Sequence, residues 1–402
     1  MQTPDGQVWT PAAFPYSYWQ RYFHNVFDEV RVIARVAQQA EPPESSKRAD
    51  GEGVTFTGIP SYIGPVQYLL NLRAIKKAAQ EAAGRTDAVI LRVGSQIGSC
   101  IEAALEANRP FAVEVVTDPY NIFAPGSVDH PLRPAFRWYF TKALKRQCRK
   151  ACAAGYVTDR FLQQRYPPGK STFHTSYAAT ELDADAIAST PRSFERHSGP
   201  VCIISVGSLA QLYKGVDVLI DAVAECIEGG ADLELLVVGD GQYRPDLEGR
   251  AERHGIASHV KFLGAIPSGK PVRDQLDSAD LFILVSKTEG LPGAMIEAMA
   301  RALPCIGSAV GGIPELLPPE YLVPRGDSKA LALKIKEIVA DRKRMTEMSA
   351  TNLSRAQAYG ESILAVRRRE LLLHLRDRTE QWLKGKAEEQ TSKETQARRA
   401  VI

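Results

Sequence analysis

Several things are scarce in this chain, and each scarcity excludes a class. Cysteine is one: there are six in 402 residues (Cys100, Cys148, Cys152, Cys202, Cys226 and Cys305), with no CxxC pair. That pattern excludes a disulfide framework and a zinc knuckle, and reduced thiols set mostly in apolar runs point to a cytoplasmic protein. No stretch reaches about 18 uninterrupted apolar residues, so no spanning helix is expected. The opening MQTPDGQVWT has neither a basic nor an apolar leader segment, so no signal peptide is read there. An excess of one charge is also missing. Fifty Lys and Arg against 47 Asp and Glu leave +3, too little for a global field that would attract nucleic acid. Glycine (30) and proline (25) are near their usual share, which excludes a collagen-like or low-complexity chain.

What is present is a rhythm. Short apolar runs alternate with helix-length amphipathic stretches. In the first half, strands are expected at 29–35, 54–57, 87–93, 111–116 and 155–158, with helices near 16–27, 66–83, 97–108 and 136–153. The second half is clearer: VCIISV at 201, LELLVV at 233, VKFLG at 260, DLFILVS at 280 and PCIGS at 304. Fully apolar short strands separated by helices read as βαβ units in parallel sheets covered on both faces. The fold class is therefore α/β, with two doubly wound Rossmann-like domains facing a cleft and a helical C-terminal extension. The boundaries are an N-terminal domain at 1–182, a linker at 183–200 where Ser, Pro and charge collect, and a C-terminal domain at 201–341. A helical extension follows at 342–386, expected to pack back through Leu371–Leu373, and then a disordered tail at 387–402. The N-terminal domain opens on polar sequence rather than an apolar strand and a glycine turn, so a first strand is expected to be missing.

The chemistry concentrates in Ser286–Leu317, SKTEGLPGAMIEAMARALPCIGSAVGGIPELL, directly after the strand DLFILV. Glu289 sits in the loop, Pro292 and Gly293 open a helix, and Glu297 falls in its second turn. The amides of Gly290, Leu291 and Gly293 would face a helix N-terminus carrying about half a positive charge, which suits a phosphate. Two carboxylates beside it suit paired sugar hydroxyls. The alternative for Glu297 is an ion pair with Arg301 one turn on, with Glu289 merely capping. VVGDGQYRPDL at 237 has Gly239 and Gly241 but Arg244 at the third glycine position. That makes it a weak dinucleotide motif, and an NAD-dependent dehydrogenase is set aside.

This combination resembles the family 4 glycosyltransferases of GT-B fold, whose signature is two glutamates separated by seven residues. The likeness runs densely from Val201 to about Val323. It implies retaining, metal-independent transfer from a nucleotide sugar, with no cofactor besides that co-substrate. By the resemblance, Glu289 and the amides after it hold the donor sugar and Glu297 holds the ribose. In SVGSLAQLYKGVDVLIDA, Lys214 fills the position of a diphosphate-binding lysine, while Ser208 stands where family members carry arginine. Asp118, ending the strand of AVEVVTDPYN, lies where many relatives carry a histidine near the acceptor. It is either an acceptor-hydroxyl partner and general base or an Asx-turn residue before Pro119.

Between Pro131 and Lys170 lie ten Lys and Arg and one acid, Asp159, with Phe136, Trp138, Tyr139 and Phe140 interleaved. The stretch 133–170 reads either as a surface for anionic membrane or as an ordinary solvated face whose aromatics are core. The expectation is a glycosyltransferase using a UDP- or GDP-sugar and a saccharide or lipid-linked acceptor. It would work in polysaccharide or glycolipid synthesis, in the cytoplasm or peripherally at the inner face of the membrane. A non-catalytic relative that binds a nucleotide sugar or a partner enzyme is the competing reading, motivated by Ser208 and the missing strand.

Overall fold

The computed structural model describes residues 1–399 except 11–13, 24–25, 44–45, 63, 94–95, 126–129 and 196–198. The C-terminal half is a six-stranded parallel sheet. Its order is Val260–Gly264, Leu233–Val238, Val201–Val206, Leu281–Leu284, Cys305–Ser308, Leu322–Val323. The last strand, two residues long, is too short to show a period in the sequence. Both faces are buried, and the alternation along each strand shows how. Ile203, Leu235 and Ile283 enter one core with Leu219 and Ile335, while their neighbours Ile204, Leu236 and Phe282 enter another with Met295 and Met299. A strand whose side chains are all in apolar contact must be apolar throughout, which is why these runs stand out. Strand order reverses between Val201–Val206 and Leu281–Leu284. In a doubly wound sheet the crevice for ligands opens at that point, beyond the carboxyl ends of the two strands.

In the N-terminal half, Ile90–Val93, Ala112–Val115, Ala153–Tyr156 and Phe173–Ser176 form a parallel sheet in that order. Strands Val30–Val36 and Val54–Pro60 pair only with each other among the described residues. The parallel strands here are thus divided between two sheets, and the helix Tyr16–Phe23 touches both. Its Tyr18 hydroxyl accepts from Arg92 (2.7 Å) on one sheet, and its Trp19 ring lies 6.1 Å edge-on from Phe56 on the other. Residues 9–10 instead form a small antiparallel pair with Lys47–Arg48. The Ala153–Tyr156 strand begins two residues before its expected start, because alanines, poor strand formers in isolation, are the residues that fit this fully buried layer.

The chain crosses between the halves at Leu182 and returns at Gly360, and the two crossings are tied together. Leu182 N donates to Tyr359 O (3.1 Å) and Glu361 N to Leu182 O (3.0 Å). The segment expected to be a linker is not loose after its crossing. Arg192 donates to the carbonyls of Leu276, Ala279 and Arg301, and Phe194 is buried in the C-terminal core. Within it, 196–198 lie outside the described residues. The extension consists of the helix Arg342–Ala356 on the C-terminal half, a short turn, and the helix Glu361–Arg399. This last helix returns to the N-terminal half with Leu371, Leu372 and Leu375 buried, Arg367 donating to Ser176 O (3.2 Å) and His374 stacked on Phe173. Residues 387–399, expected to be disordered, continue as helix. Lacking glycine and proline and rich in Glu, Gln, Ala and Arg, they follow helix propensity even where the side chains described to Lys393 are exposed. Residues 400–402 lie outside the described residues.

Candidate functional site

Two loops leave the sheet where its order reverses. The one after Val201–Val206 runs through Gly207 and Ser208 to a single turn, Leu212–Lys214, before the helix Val216–Glu228. The one after Leu281–Leu284 carries Ser286, Lys287 and Glu289 to Pro292, whose extended backbone caps the helix Gly293–Ala300. The two meet side chain to side chain: Lys214 Nζ forms an ion pair with Glu289 Oε1, and both groups are largely buried. The buried Ser286 hydroxyl donates to the same Oε1 (3.2 Å), and Ser308 Oγ donates to Ser286 O (2.6 Å). Beside them Lys287 pairs with Asp217 (2.9 Å), tying the second loop to the first turn of Val216–Glu228. Ser286 and this second lysine were not singled out in the sequence. The signal was there in the SKTE run, where a hydroxyl three residues before the glutamate can curl back onto it.

The glutamate loop rests on the loop after Cys305–Ser308. Gly312 N donates to Gly290 O (2.6 Å). Gly311 has a φ of +57°, and a Cβ there would lie 2.1 Å from Glu289 O. Only glycine fits this contact, so the GGIPEL run is the support that fixes where Glu289 points.

Glu297 lies apart from the Lys214–Glu289 pair, in the second turn of its helix as expected. Arg301 does not hold it: its guanidinium is bound in a two-pronged pair to Asp277 (2.7 and 2.8 Å). Among the described residues the Glu297 carboxylate has no hydrogen-bonding partner. Burial pushes its pKa up from the ordinary value, and the positive charge of Arg273 opposes that only in part. A half-buried carboxylate without a partner is poised to accept hydrogen bonds from hydroxyls. The Gly293 and Ala294 amides at the helix start likewise donate to nothing among the described residues.

Asp118 is not at the acceptor's disposal. Its carboxylate is fully buried, ion-paired with Arg165, and accepts from the Tyr166 hydroxyl (2.6 Å) and Tyr120 N (3.1 Å). It is the Asx-type cap of the short helix Pro119–Ile122, and the general-base reading is withdrawn because its lone pairs are already taken. Ser208 is exposed and turns inward on its own loop, its hydroxyl accepting from Ala210 N (3.2 Å). The basic stretch 133–170 is not one face. Phe136 and Phe140 turn inward onto Phe123, and Arg165 is spent on Asp118, whereas Trp138 and Tyr139 are exposed.

The N-terminal half closes over these loops. A Cβ on Gly293 would lie 2.0 Å from Thr180 Oγ1, and one on Gly290 would lie 2.7 Å from Val116 O. Glu315, in the helical turn of GGIPEL, accepts from three consecutive amides across the divide: Asp159 (2.6 Å), Arg160 (3.0 Å) and Phe161 (2.7 Å). In the linear chain this glutamate is only part of the GGIPEL loop pattern. A cavity of about 590 Å³ lies elsewhere, among Gln2, Tyr16, Arg48, Asp50 and Phe56, far in the chain from these loops. Among the described residues no group of three or more His, Cys, Asp or Glu could hold a metal ion, and no helix is long and apolar enough to cross a membrane.

The family described as "Glycosyl transferases group 1" matches residues 200–341, the whole of the half that carries Lys214, Glu289 and Glu297. The protein is a glycosyltransferase. Along almost its full length it is similar to Protein CapJ of Staphylococcus aureus, 26% identical over 368 residues that cover 90% of each chain. The amylovoran biosynthesis glycosyltransferase AmsK of Erwinia amylovora is 35% identical over 142 residues, a match spanning 33% of this chain and 34% of that one. In structure, the glycosyltransferase is similar to sucrose-phosphate synthase of Thermosynechococcus elongatus (TM-score 0.68, 19% identity, 85% of this chain and 88% of that one). It is also similar to HepE of Anabaena in complex with UDP and glucose (TM-score 0.59, 18% identity, 80% and 86%). At these identities the likeness is one of fold, the GT-B arrangement of two α/β halves.

Proposed function

We propose that the enzyme moves a sugar from a UDP- or GDP-sugar to a saccharide or lipid-linked acceptor, with retention at the anomeric carbon and without a metal ion. The setting is surface polysaccharide or glycolipid assembly on the cytoplasmic side of a membrane. The observation that carries this reading is the Lys214–Glu289 pair at the reversal of strand order. A diphosphate arriving there competes for Lys214 and frees Glu289 to accept hydrogen bonds from the sugar, so binding and activation are coupled. The helix-start amides at Gly293 and Ala294 add partial positive charge. Glu297, partnerless and partly desolvated, takes the ribose hydroxyls. The bond from the anomeric carbon to the diphosphate breaks as the acceptor oxygen bonds on the same face, and the acceptor proton passes to the departing phosphate oxygen. This route asks nothing of Asp118, which is already occupied. The polysaccharide setting draws on AmsK, named for amylovoran biosynthesis, and the choice of UDP on the complex of HepE.

The test is donor turnover. The enzyme should consume one of a panel of UDP- and GDP-sugars slowly without acceptor, and proton NMR of the transferred sugar should show the donor's anomeric configuration. Glu289→Ala should lower kcat by roughly 100-fold or more with little change in nucleotide Kd, as loss of a group acting on the sugar implies. Normal turnover in that variant would remove Glu289 from the mechanism, and an inverted product would remove retention.

A further inference from the structure

Just past the carboxyl end of the strand Ala112–Val115, one exposed aromatic ring carries two arginines. Tyr120, in the short helix Pro119–Ile122, is 40% exposed. The guanidinium carbon of Arg137 lies 3.6 Å from the centroid of its ring, and that of Arg165 lies 4.6 Å from the same centroid. Arg137 comes from the opening turns of the helix Arg133–Lys150 and donates through Nε to Tyr120 O (2.8 Å). Arg165 ends the helix Phe161–Arg165, pairs through Nη1 with Asp118 and stacks on Phe161 (4.9 Å). The backbone beneath the ring is fixed too, Tyr120 N donating to Asp118 Oδ1 (3.1 Å) and to the Tyr166 hydroxyl (3.3 Å).

Contacts with the C-terminal half place this cluster at the cleft. Val116, four residues before Tyr120, faces the Glu289 loop so closely that a Cβ on Gly290 would lie 2.7 Å from Val116 O. Phe161, the second ring under Arg165, donates its amide to Glu315 of the opposite half (2.7 Å). Beyond Tyr120 in the chain, Pro125 O accepts from Arg325 Nη2, also of the opposite half (3.1 Å).

Taken alone, the arrangement opposes folding. Two guanidiniums share one ring, and Arg133, one helical turn before Arg137, adds a like charge at the i, i+4 spacing. Asp118 is the one carboxylate paired with any of the three among the described residues, and it engages only Nη1 of Arg165. Both terminal amino groups of Arg137, and Nη2 of Arg165, donate to nothing among the described residues. Planar forks of this kind match the oxygens of a phosphate or a carboxylate.

We propose that Arg137 and Arg165 form an oxyanion site for the acceptor, so that the enzyme selects acceptors carrying an acidic group beside the hydroxyl that receives the sugar. The phosphate of a lipid-linked acceptor and the carboxylate of an acidic saccharide offer the same chemistry to the two forks. The site deepens the acceptor class proposed above and rests on that reading for its purpose.

The test is calorimetric titration of the full chain, with UDP or GDP saturating the donor site and inorganic phosphate, glucuronate and glucose as probes. Phosphate, glucuronate or both should bind, and glucose should not. The tighter of the two names the source, phosphate for a phosphorylated carrier and glucuronate for an acidic saccharide. Arg137→Gln should weaken this binding about tenfold or more, at a melting temperature close to that of the unaltered enzyme. Arg137→Lys, which keeps the charge but loses the fork, should recover only part of it. Lys142→Gln with Arg149→Gln, exposed cations farther along the same helix, should bind the anions as the unaltered enzyme does. Glu289→Ala, impaired in turnover, should also bind them, which separates failure of this site from failure of the transfer reading. Anion affinity no higher than that for glucose, undiminished binding by Arg137→Gln, or an equal loss in the Lys142 and Arg149 variant would overturn the proposal.

Discussion

At the scale of single residues, Glu297 and Asp118 are opposites. Asp118 is satisfied on all sides, so removing it strands Arg165 and Tyr166. Asp118→Ala should cost about 3 kcal/mol, as breaking one side of a buried pair does, and lower the urea midpoint. A general base would instead lose activity with stability intact. Glu297 is desolvated with nothing to compensate. Its folded pKa lies above its unfolded one, so the folded state favours the protonated form, and the stability this provides at low pH is lost as pH rises through the folded pKa. Glu297→Gln should therefore raise the melting temperature at neutral pH while weakening nucleotide binding. Calorimetric titration with the nucleotide should show Glu297→Ala losing roughly 1–3 kcal/mol. Affinity of the unaltered enzyme should fall on acidification already above the ordinary glutamate range, with Glu297→Gln flat there. A pH-independent Kd would refute the ribose assignment. Burial also silences thiols: Cys148 is pushed up to about 12, so it should not react with a thiol reagent at pH 8 until the protein unfolds.

At the scale of elements, the returning helix Glu361–Arg399 belongs to the far half. Leu372, buried between it and the N-terminal strands, should cost about 2–5 kcal/mol when cut to alanine. Because the contact lies on the N-terminal side, limited proteolysis should release fragments of that half first. The short GGIPEL helix has a double task, supporting the Glu289 loop from below through Gly311 and Gly312 and reaching across the cleft with Glu315. Gly311→Ala should thus impair turnover although residue 311 touches no substrate, because positive φ and the 2.1 Å approach to Glu289 O both oppose a side chain.

At the scale of the whole molecule, the two halves are joined at Leu182 and Gly360 and held shut by Glu315. Three amides on one carboxylate form a latch that water can replace, so it suits a cleft that must open for each turnover. Glu315→Ala should leave each half folded and increase the radius of gyration in small-angle scattering. It should raise KM for the donor more than it lowers kcat. An unchanged radius of gyration would assign Glu315 a local capping role only.

The Val201–Val206 to Cys305–Ser308 strands, their parallel order of helices and strands, and the positions of Lys214, Glu289 and Glu297 were all legible in the linear chain. Strands buried on both faces must be apolar throughout, and loops at their carboxyl ends carry the polar exceptions. The three-dimensional arrangement was needed to see that Lys214 meets Glu289, that Arg301 turns away to Asp277, and that Asp118 is consumed by Arg165 and Tyr166. Each of these depends on which of several possible partners lies within about 3 Å, and partners 47 or 75 positions apart leave no periodic trace. The split N-terminal sheet, bridged by Tyr18 and Trp19, was decided in the same way. Hydrophobic period reports which face of an element is buried, whereas which neighbour buries it is settled only when the chain is packed.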